Sequence, residues 1–217
     1  MKEGNEIKHS PVKNPKTIIL MIIMAAAYNF LIYSAGRSIS GGFYHHNLSS
    51  RLDGIIPFIP WTILIYWGCT VFWGINYYLG IHYDRSGGRC FITAHLIGET
   101  ICFILFVLFP TTMERPVITD AEGLLSIVEI TYRMDSADNL LPSIHCFISC
   151  LCWIGVRRIR EIPKWYRDSS FIIAVLVCIS TLTVKQHVIM DVIAGVLLAE
   201  FSFFVSSRLI QGRGYTV

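Results

Sequence analysis

The sequence carries little charge, and this scarcity excludes several classes of protein. Only 15% of the residues are charged, whereas 53% are hydrophobic, and soluble domains have about 25% charged residues. The formal net charge is only +3, and the lysines and arginines fall in segments that flank apolar runs, so a surface for nucleic acid is not expected. The composition therefore predicts an integral membrane protein.

Metal-binding patterns are also lacking. The seven cysteines lie in or beside apolar runs, they form no CxxC pair, and none is spaced from a histidine as zinc ligands are. We interpret them as small apolar packing residues. Neither a metal ion nor a cofactor is expected.

Apolar runs long enough to cross a bilayer recur along the chain. A transmembrane helix needs about 20 apolar residues, and six spans are predicted, at residues 17–35, 55–79, 90–109, 140–156, 168–184 and 188–207. No small-residue cleavage site follows the first run, which is interpreted as a span rather than a secretory signal. The sequence thus predicts an all-α integral membrane protein with six transmembrane helices in one bundle, residues 17–207, between polar tails at 1–16 and 208–217.

The distribution of basic residues predicts the orientation of this bundle. Lysine and arginine are enriched in the cytoplasmic loops of membrane proteins. With the N-terminus inside, most of the 18 basic residues fall in cytoplasmic segments, and the exceptions are Arg37, Arg51, Arg115, Arg133 and Lys185. Both termini are therefore predicted to be cytoplasmic.

Two pairs of ionisable residues have the spacing of one helical turn. His187 and Asp191 stand at the mouth of the sixth span, and His95 and Glu99 stand inside the third. Residues four apart share a helix face, and ionisable groups within a span usually face the bundle interior. We interpret the His95 and Glu99 pair as polar packing between helices, with a role in substrate binding or proton movement as the alternative.

The pair at the sixth span has a chemical interpretation. A carboxylate that accepts a hydrogen bond from one imidazole nitrogen holds the ring in one tautomer, and the other nitrogen can then act as a nucleophile or a base. Asp191 is placed to do this for His187. A polar helix end with a hydrogen-bonded histidine is the structural alternative.

Two more polar motifs are predicted to reach the outer face beside His187. One is PTTMERP, residues 110–116, and the other is LPSIH, residues 141–145. In the second, Pro142 is predicted in the first turn of a span, where the free backbone N–H groups and Ser143 form an anion site. In the first, Arg115 can bind a phosphate through two parallel hydrogen bonds.

These parts suit phosphoryl transfer without a metal. His187, oriented by Asp191, would attack phosphorus, and His145 would protonate the leaving alcohol. Arg115, Ser143 and Lys185 would hold the phosphate oxygens. For Arg115 and Lys185 the alternative is a role in snorkelling or topology.

The same segments resemble a known family. Arg115 with Pro116, the PSIH segment and residues 180–191 are similar to the three signature motifs of the type 2 phosphatidic acid phosphatase superfamily, a group of six-span lipid phosphatases and phosphotransferases. The resemblance covers about residues 55–207. It implies that His187 is the nucleophile, Asp191 its partner and His145 the acid. It further implies that Arg115 and Ser143 are phosphate ligands. Ser180, at the start of the third motif, is a further candidate for substrate binding.

Two positions depart from the family pattern. Leu108 stands where the first motif has a lysine, and Thr181 stands where the third has an arginine. With Lys185 as the obvious replacement for both, the chain resembles more closely the branch that includes sphingomyelin and inositol phosphorylceramide synthases. That branch moves a phospho-headgroup between lipids.

These observations predict an enzyme that cleaves a phosphate ester or diphosphate of a membrane lipid at the outer leaflet, through a phosphohistidine. Transfer of a phospho-headgroup to a lipid alcohol is the alternative, and a non-catalytic lipid-binding protein is the second alternative. We expect the outer loops, residues 37–54 and 110–139, to build the headgroup pocket, and residues 122–132 to form an interfacial helix. The compact size favours a bacterial plasma membrane as the location.

Overall fold

The computed structural model describes residues 12, 14–84, 86, 88–119 and 121–211, and it is mostly helical, as predicted. The helices are α1 (Pro15–Ser40), α2 (Arg51–Ile55), α3 (Ile63–Tyr83), α4 (Arg89–Leu108), α5 (Leu124–Met134), α6 (Ile144–Arg157), α7 (Lys164–Thr183) and α8 (Ile189–Gln211). A 3-10 turn, Pro60–Thr62, precedes α3. Two short strands, β1 (His46–Asn47) and β2 (Thr111–Thr112), pair in parallel and join the loops at residues 37–54 and 110–139.

Six of these helices pack into one bundle. Helix α4 lies against α1 and α8, and α6 lies against α3, α7 and α8. At one end, Ser206 near the end of α8 donates to the carbonyl of Cys90 at the start of α4. At the other end, Ser40 at the end of α1 donates to Asn139 before α6. Helices that follow one another in the chain therefore alternate in direction, and α1 packs parallel to α4 as α6 does to α8. The ends that carry the candidate site lie together.

Among the described residues, four helices are long and apolar enough to cross a membrane, at Pro15–Ser40, Arg89–Leu108, Lys164–Thr183 and Ile189–Ile210. Helix α3 has 21 residues, but its tyrosines, its tryptophans and Asn76 lower its hydropathy. Helix α6 has 14 residues, which gives a length of about 21 Å against a hydrocarbon core of about 30 Å. The count of six spans stays a prediction.

Prolines move two of the predicted helix starts. The second span was predicted from Ile55, but α3 begins at Ile63, because Pro57 and Pro60 disfavour a continuous helix through this stretch. The fourth span was predicted to begin at Leu140, but the corresponding helix, α6, begins at Ile144. Pro142 consequently lies before the helix, and its predicted place in the first turn is wrong.

The tails of the predicted domain division are mostly outside the described residues. This applies to Lys2, Lys8 and Lys13 and to residues 212–217. Where the chain is described, the helices run past the predicted limits. Helix α1 already begins at Pro15, where Asn14 caps its N-terminus, and α8 continues to Gln211.

Polar contacts fill part of the interior between α1, α3 and α4. His95 contacts the hydroxyl of Tyr77 at 2.7 Å and the carbonyl of Ala25 at 3.2 Å. Glu99 accepts a hydrogen bond of 2.7 Å from Asn29. These contacts support the interpretation of His95 and Glu99 as polar packing between helices, because each side chain bonds to a neighbouring helix.

Candidate active site

The predicted pair of His187 and Asp191 is formed in the turn between α7 and α8. His187 lies just before α8, and Asp191 lies in its first turn. His187 Nδ1 is 3.3 Å from Asp191 Oδ2, which also accepts the backbone N–H of Val188 at 3.0 Å. Only 7% of His187 and 0% of Asp191 are exposed. The carboxylate thus holds both the ring and the backbone that follows it.

The surroundings of His187 change its acidity. Burial alone lowers its pKa, but the hydrogen bond and the negative charge of Asp191 outweigh burial, so the pKa is raised above the ordinary value of 6.5. The neutral imidazole that a nucleophile requires therefore predominates only above that raised pKa.

His145 faces His187 from α6. Their ring centroids are 6.2 Å apart. The planes of the two rings are tilted by 55°, so the two imidazoles lie near enough to contact the same ligand. The ring of Tyr66 on α3 stacks on His145 with centroids 4.3 Å apart, and Trp73 lies against it at 5.5 Å. Helix α3 thereby fixes the plane of the second imidazole.

Arg115 is held near His187 by a glutamine that precedes this histidine. Its guanidinium donates to Gln186, the residue before His187, and to the carbonyl of Asp135 at 2.5 Å. It also lies over the ring of Tyr132, 4.8 Å from the centroid. Arg115 Nε is buried and has no partner within the described residues. The Nε–H is thus a buried donor that no described residue satisfies.

Ser143 connects the two motifs through its backbone. It caps α6, and its hydroxyl accepts the N–H of Cys146 at 3.3 Å. Its own N–H donates to the carbonyl of Asp191 at 3.0 Å. The approach of α8 here requires glycine, because a Cβ at Gly195 would lie 2.6 Å from the carbonyl oxygen of Ser143.

Two other predicted ligands bond elsewhere in the protein. The hydroxyl of Ser180 donates to the carbonyl of Val177 at 2.7 Å. Lys185 Nζ donates to the carbonyls of Asp53 at 3.0 Å and of Ile56 at 2.6 Å. Neither contact is with a histidine of the site, and the predicted role of both residues as phosphate ligands stays a prediction.

The two positions that depart from the family pattern offer no charge to the site. Leu108 ends α4 and is 75% exposed. Thr181 is buried, and its hydroxyl donates to the carbonyl of Cys178 at 2.8 Å. Arg115, by contrast, is bonded to Gln186, the residue before His187.

Sequence reasoning missed Asp135, whose carboxylate bonds to the tyrosine that stacks on His145. Asp135 accepts hydrogen bonds from the hydroxyls of Tyr33 at 2.5 Å and Tyr66 at 3.1 Å. Tyr66 is the residue that stacks on His145. In the sequence Asp135 is one of several acids in a long loop, and no spacing links it to Tyr33 on α1. Gln186 was missed as well, although its place beside His187 was a usable signal.

No group of three or more His, Cys, Asp or Glu side chains in the described part of the chain could hold a metal ion. The site consists instead of two facing imidazoles, one carboxylate partner and one guanidinium. Together with the long apolar helices, these features define a class of helical membrane proteins with a histidine site suited to phosphate chemistry.

Comparison with known proteins identifies the family. The family model of the PAP2 superfamily matches residues 65–205, which is more than half of the chain. The chain therefore belongs to the PAP2 superfamily, the type 2 phosphatidic acid phosphatases that its motifs resemble. Membership indicates phosphoesterase activity of the phosphatase or phosphotransferase type. Searches of curated proteins and of solved structures found no match.

Proposed function

We propose that this protein is a metal-independent lipid phosphatase that hydrolyses a phosphate ester or diphosphate at the outer leaflet through a phosphohistidine on His187. One observation carries the proposal: His187 and His145 face each other at 6.2 Å, and Arg115 is bonded to the residue before His187. A nucleophile, an acid and a phosphate-binding cation thus stand around one space.

The proposed first half of the reaction breaks the lipid ester. His187 Nδ1–H donates to Asp191, so the lone pair on Nε2 attacks phosphorus and forms an N–P bond. The bond from phosphorus to the lipid oxygen breaks, and protonated His145 gives its proton to that oxygen. Asp191 stabilises the positive charge on His187, and Arg115 stabilises the negative charge on the phosphoryl oxygens.

The second half returns the enzyme to its starting state. Neutral His145 takes a proton from water, the water oxygen attacks phosphorus, and the N–P bond breaks. Free phosphate leaves, and His187 is neutral again. Ser143 with the N–H groups at the start of α6, and Ser180 after release from its present contact, are further candidate ligands for the phosphate oxygens.

The proposed topology places this chemistry outside the cell. All six helices of the bundle would cross the membrane, with both termini in the cytoplasm. The bundle end opposite the site supports this orientation, because Arg157, Lys164 and Arg208 lie there and basic residues favour the cytoplasmic side. A bacterial plasma membrane is the proposed location.

A panel of lipids labelled in the phosphate tests the function. The purified protein should release labelled inorganic phosphate from at least one lipid phosphate, and His187→Ala should abolish the release. His82→Ala is the matched control, because His82 lies at the other end of the bundle, where it contacts the carbonyl of Val12. If the wild-type protein releases phosphate from no lipid of the panel, the catalytic proposal is wrong. Binding without turnover would favour the lipid-binding alternative.

Transfer to a lipid alcohol is the second candidate, and Asp135 favours it. Its carboxylate is held by Tyr33 and Tyr66 on the side of the site that faces His145. It offsets the charge of Arg115, which bonds to its carbonyl, and a carboxylate can accept the proton of an alcohol. The same lipid panel, supplied with diacylglycerol or ceramide, distinguishes the candidates: transfer yields a new labelled phospholipid, and hydrolysis yields free phosphate.

A further inference from the structure

The turn that carries His187 is held by a short segment that precedes the region matched by the family. This segment, residues 50–56, contains α2 and is called here the 50–56 clamp. The Asp53 carboxylate accepts the backbone N–H of Ile189 at 2.7 Å, at the start of α8. Lys185 Nζ donates to the carbonyls of Asp53 and Ile56 at 3.0 and 2.6 Å. The clamp therefore bonds to the chain on both sides of His187.

Asp53 is itself fixed within the clamp. Its second carboxylate oxygen accepts the N–H of Ser50 at 2.7 Å and the Ser50 hydroxyl at 2.6 Å, in a capping box at the start of α2. Burial raises the pKa of Asp53, but the hydrogen bonds from Ser50 and Ile189 outweigh burial and lower it overall. The carboxylate is thus ionised at neutral pH, and it complements the positive end of the α8 dipole.

Lys185 adopts a backbone conformation that favours glycine. Its φ is +55°, in the left-handed region that residues with a side chain rarely enter. The two carbonyls of the clamp bind the ammonium group of Lys185, and these bonds offset the energetic cost of the left-handed backbone conformation. The left-handed residue reverses the chain after α7, so that Gln186 and His187 both donate their N–H groups to the carbonyl of Thr181.

Two further hydrogen bonds hold the backbone that leads into the same turn. The N–H of Ile59 donates to the carbonyl of Thr183 at 2.9 Å. The hydroxyl of Tyr132 donates to the carbonyl of Val184 at 2.7 Å. The loops before α3 and helix α5 therefore hold this backbone in addition to the contacts that Thr181 and Asp191 make within the motif.

We propose that Asp53 and Lys185 are positioning residues, which hold the turn of residues 184–188 so that His187 faces His145. Lys185 acts through the backbone of the nucleophile rather than by binding phosphate. The proposal rests on the proposed function, since it assigns how the nucleophile of that reaction is oriented. A displacement of about 1 Å at a reacting group costs roughly 100-fold in rate.

Four variants separate positioning from phosphate binding. Lys185→Met removes the ammonium and keeps the stem, and Asp53→Asn disturbs the bonds to Ile189 and Ser50. The matched controls are Lys164→Met and Asp168→Asn, because Lys164 and Asp168 form an exposed ion pair at the other end of the bundle. Both clamp variants should lower kcat by roughly 10- to 100-fold with KM changed less than about twofold. The controls should match the wild type.

The pH profile and phosphate inhibition give the second readout. If the clamp holds His187 against Asp191, both clamp variants shift the acid limb of kcat/KM to lower pH and leave inhibition by inorganic phosphate unchanged. A Lys185→Met protein with an unshifted acid limb, a raised KM and weaker inhibition by phosphate would overturn the proposal and establish Lys185 as a phosphate ligand.

Hydrogen exchange tests the clamp even where activity fails. In the wild-type protein the amides of residues 186–189 should exchange as slowly as those of α8, and Asp53→Asn should speed exchange there but not in α4. Fast exchange of this turn in the wild type would overturn the proposal, including when a clamp variant does not fold. If the wild type turns over no lipid but the turn is protected, the proposed function fails and the clamp stands as a structural device.

Discussion

His187 and Asp191 have the same spacing as His95 and Glu99, yet the two pairs form different contacts. His187 bonds to Asp191, and its ring faces a second histidine. His95 instead bonds to Tyr77 and Ala25, and Glu99 bonds to Asn29. The difference follows from position in the helix. His95 and Glu99 both lie within α4, whereas His187 precedes α8 and its ring can turn toward the carboxylate in the first turn.

The comparison shows that spacing selects candidates and that the position in the helix decides their contacts. Inside a helix, residues four apart share a face but their side chains reach outward to neighbouring helices. At a helix start, the free N–H groups and the dipole favour a carboxylate in the first turn. Asp191 occupies that place and also binds the N–H of Val188. This backbone bond orients the carboxylate independently of its bond to His187.

The largest expected effect is the difference in kcat between variants of Asp191 and of Glu99. Asp191→Asn should lower kcat by about 1,000-fold, because the amide neither fixes the productive tautomer nor stabilises the imidazolium. Glu99→Gln should leave kcat within about threefold, because Gln can still accept the hydrogen bond from Asn29. Steady-state kinetics of both proteins in one detergent, with thermal unfolding as the check on folding, measures the contrast. Equal losses in the two variants would contradict the assignment.

The next effect concerns the contact that brings α6 and α8 together. Gly195→Ala should lower kcat about tenfold and destabilise the protein by about 1–3 kcal/mol, because the new Cβ would meet the carbonyl of Ser143 at 2.6 Å. Gly68→Ala is the control, since a Cβ at Gly68 meets nothing within 4 Å. Wild-type kinetics and unfolding temperature in Gly195→Ala would show that α8 approaches α6 less closely.

A moderate effect appears in the pH dependence. The pKa of His187 is raised above 6.5 by Asp191, so the neutral nucleophile is lost as the pH falls through a value above 6.5. The acid limb of kcat/KM, which reports the free enzyme, should therefore lie above pH 6.5. In Asp191→Asn burial dominates, and the residual activity should show an acid limb below pH 6.5. If the acid limb lies at the same pH in the wild type and in Asp191→Asn, Asp191 does not set the pKa of the titrating group.

The smallest effect tests the support of the second histidine. Tyr66→Phe keeps the ring that stacks on His145 and removes only the hydrogen bond to Asp135, so kcat should fall about threefold. Tyr66→Ala should fall further, because the stacking surface is lost as well. The ratio of kcat for the two variants is the measurement. Equal values would show that stacking does not orient His145.

The sequence predicted the parts of the site that lie on the two motif-bearing helix starts. Ser143, His145, His187 and Asp191 follow local rules of spacing and capping, and the structure brings them together. Local rules also indicate a helix near Glu122, and α5 is found at Leu124–Met134. The limits of α3 and α6 were less predictable, because hydropathy does not register prolines as helix breakers.

The contacts that cross between distant segments could not be predicted. Asp135 reaches Tyr33, which lies 102 residues away in sequence, and Lys185 reaches the carbonyl of Asp53, which lies 132 residues away. Neither contact follows a period or a motif, since each depends on how the loops fold over the bundle. Lys185 illustrates the consequence: its charge near His187 suggested a phosphate ligand, whereas its ammonium is bonded to the 50–56 clamp.

The phosphohistidine itself is the most direct test of the central claim. The protein is mixed with p-nitrophenyl phosphate, whose leaving group needs little protonation, quenched in alkaline denaturant, digested and analysed by mass spectrometry. We expect a phosphoryl group on the peptide that contains His187, and more of it in His145→Asn, because that variant lacks the base that activates water. Turnover with no phosphoryl group on His187, or an equal signal from His187→Ala, would contradict the account.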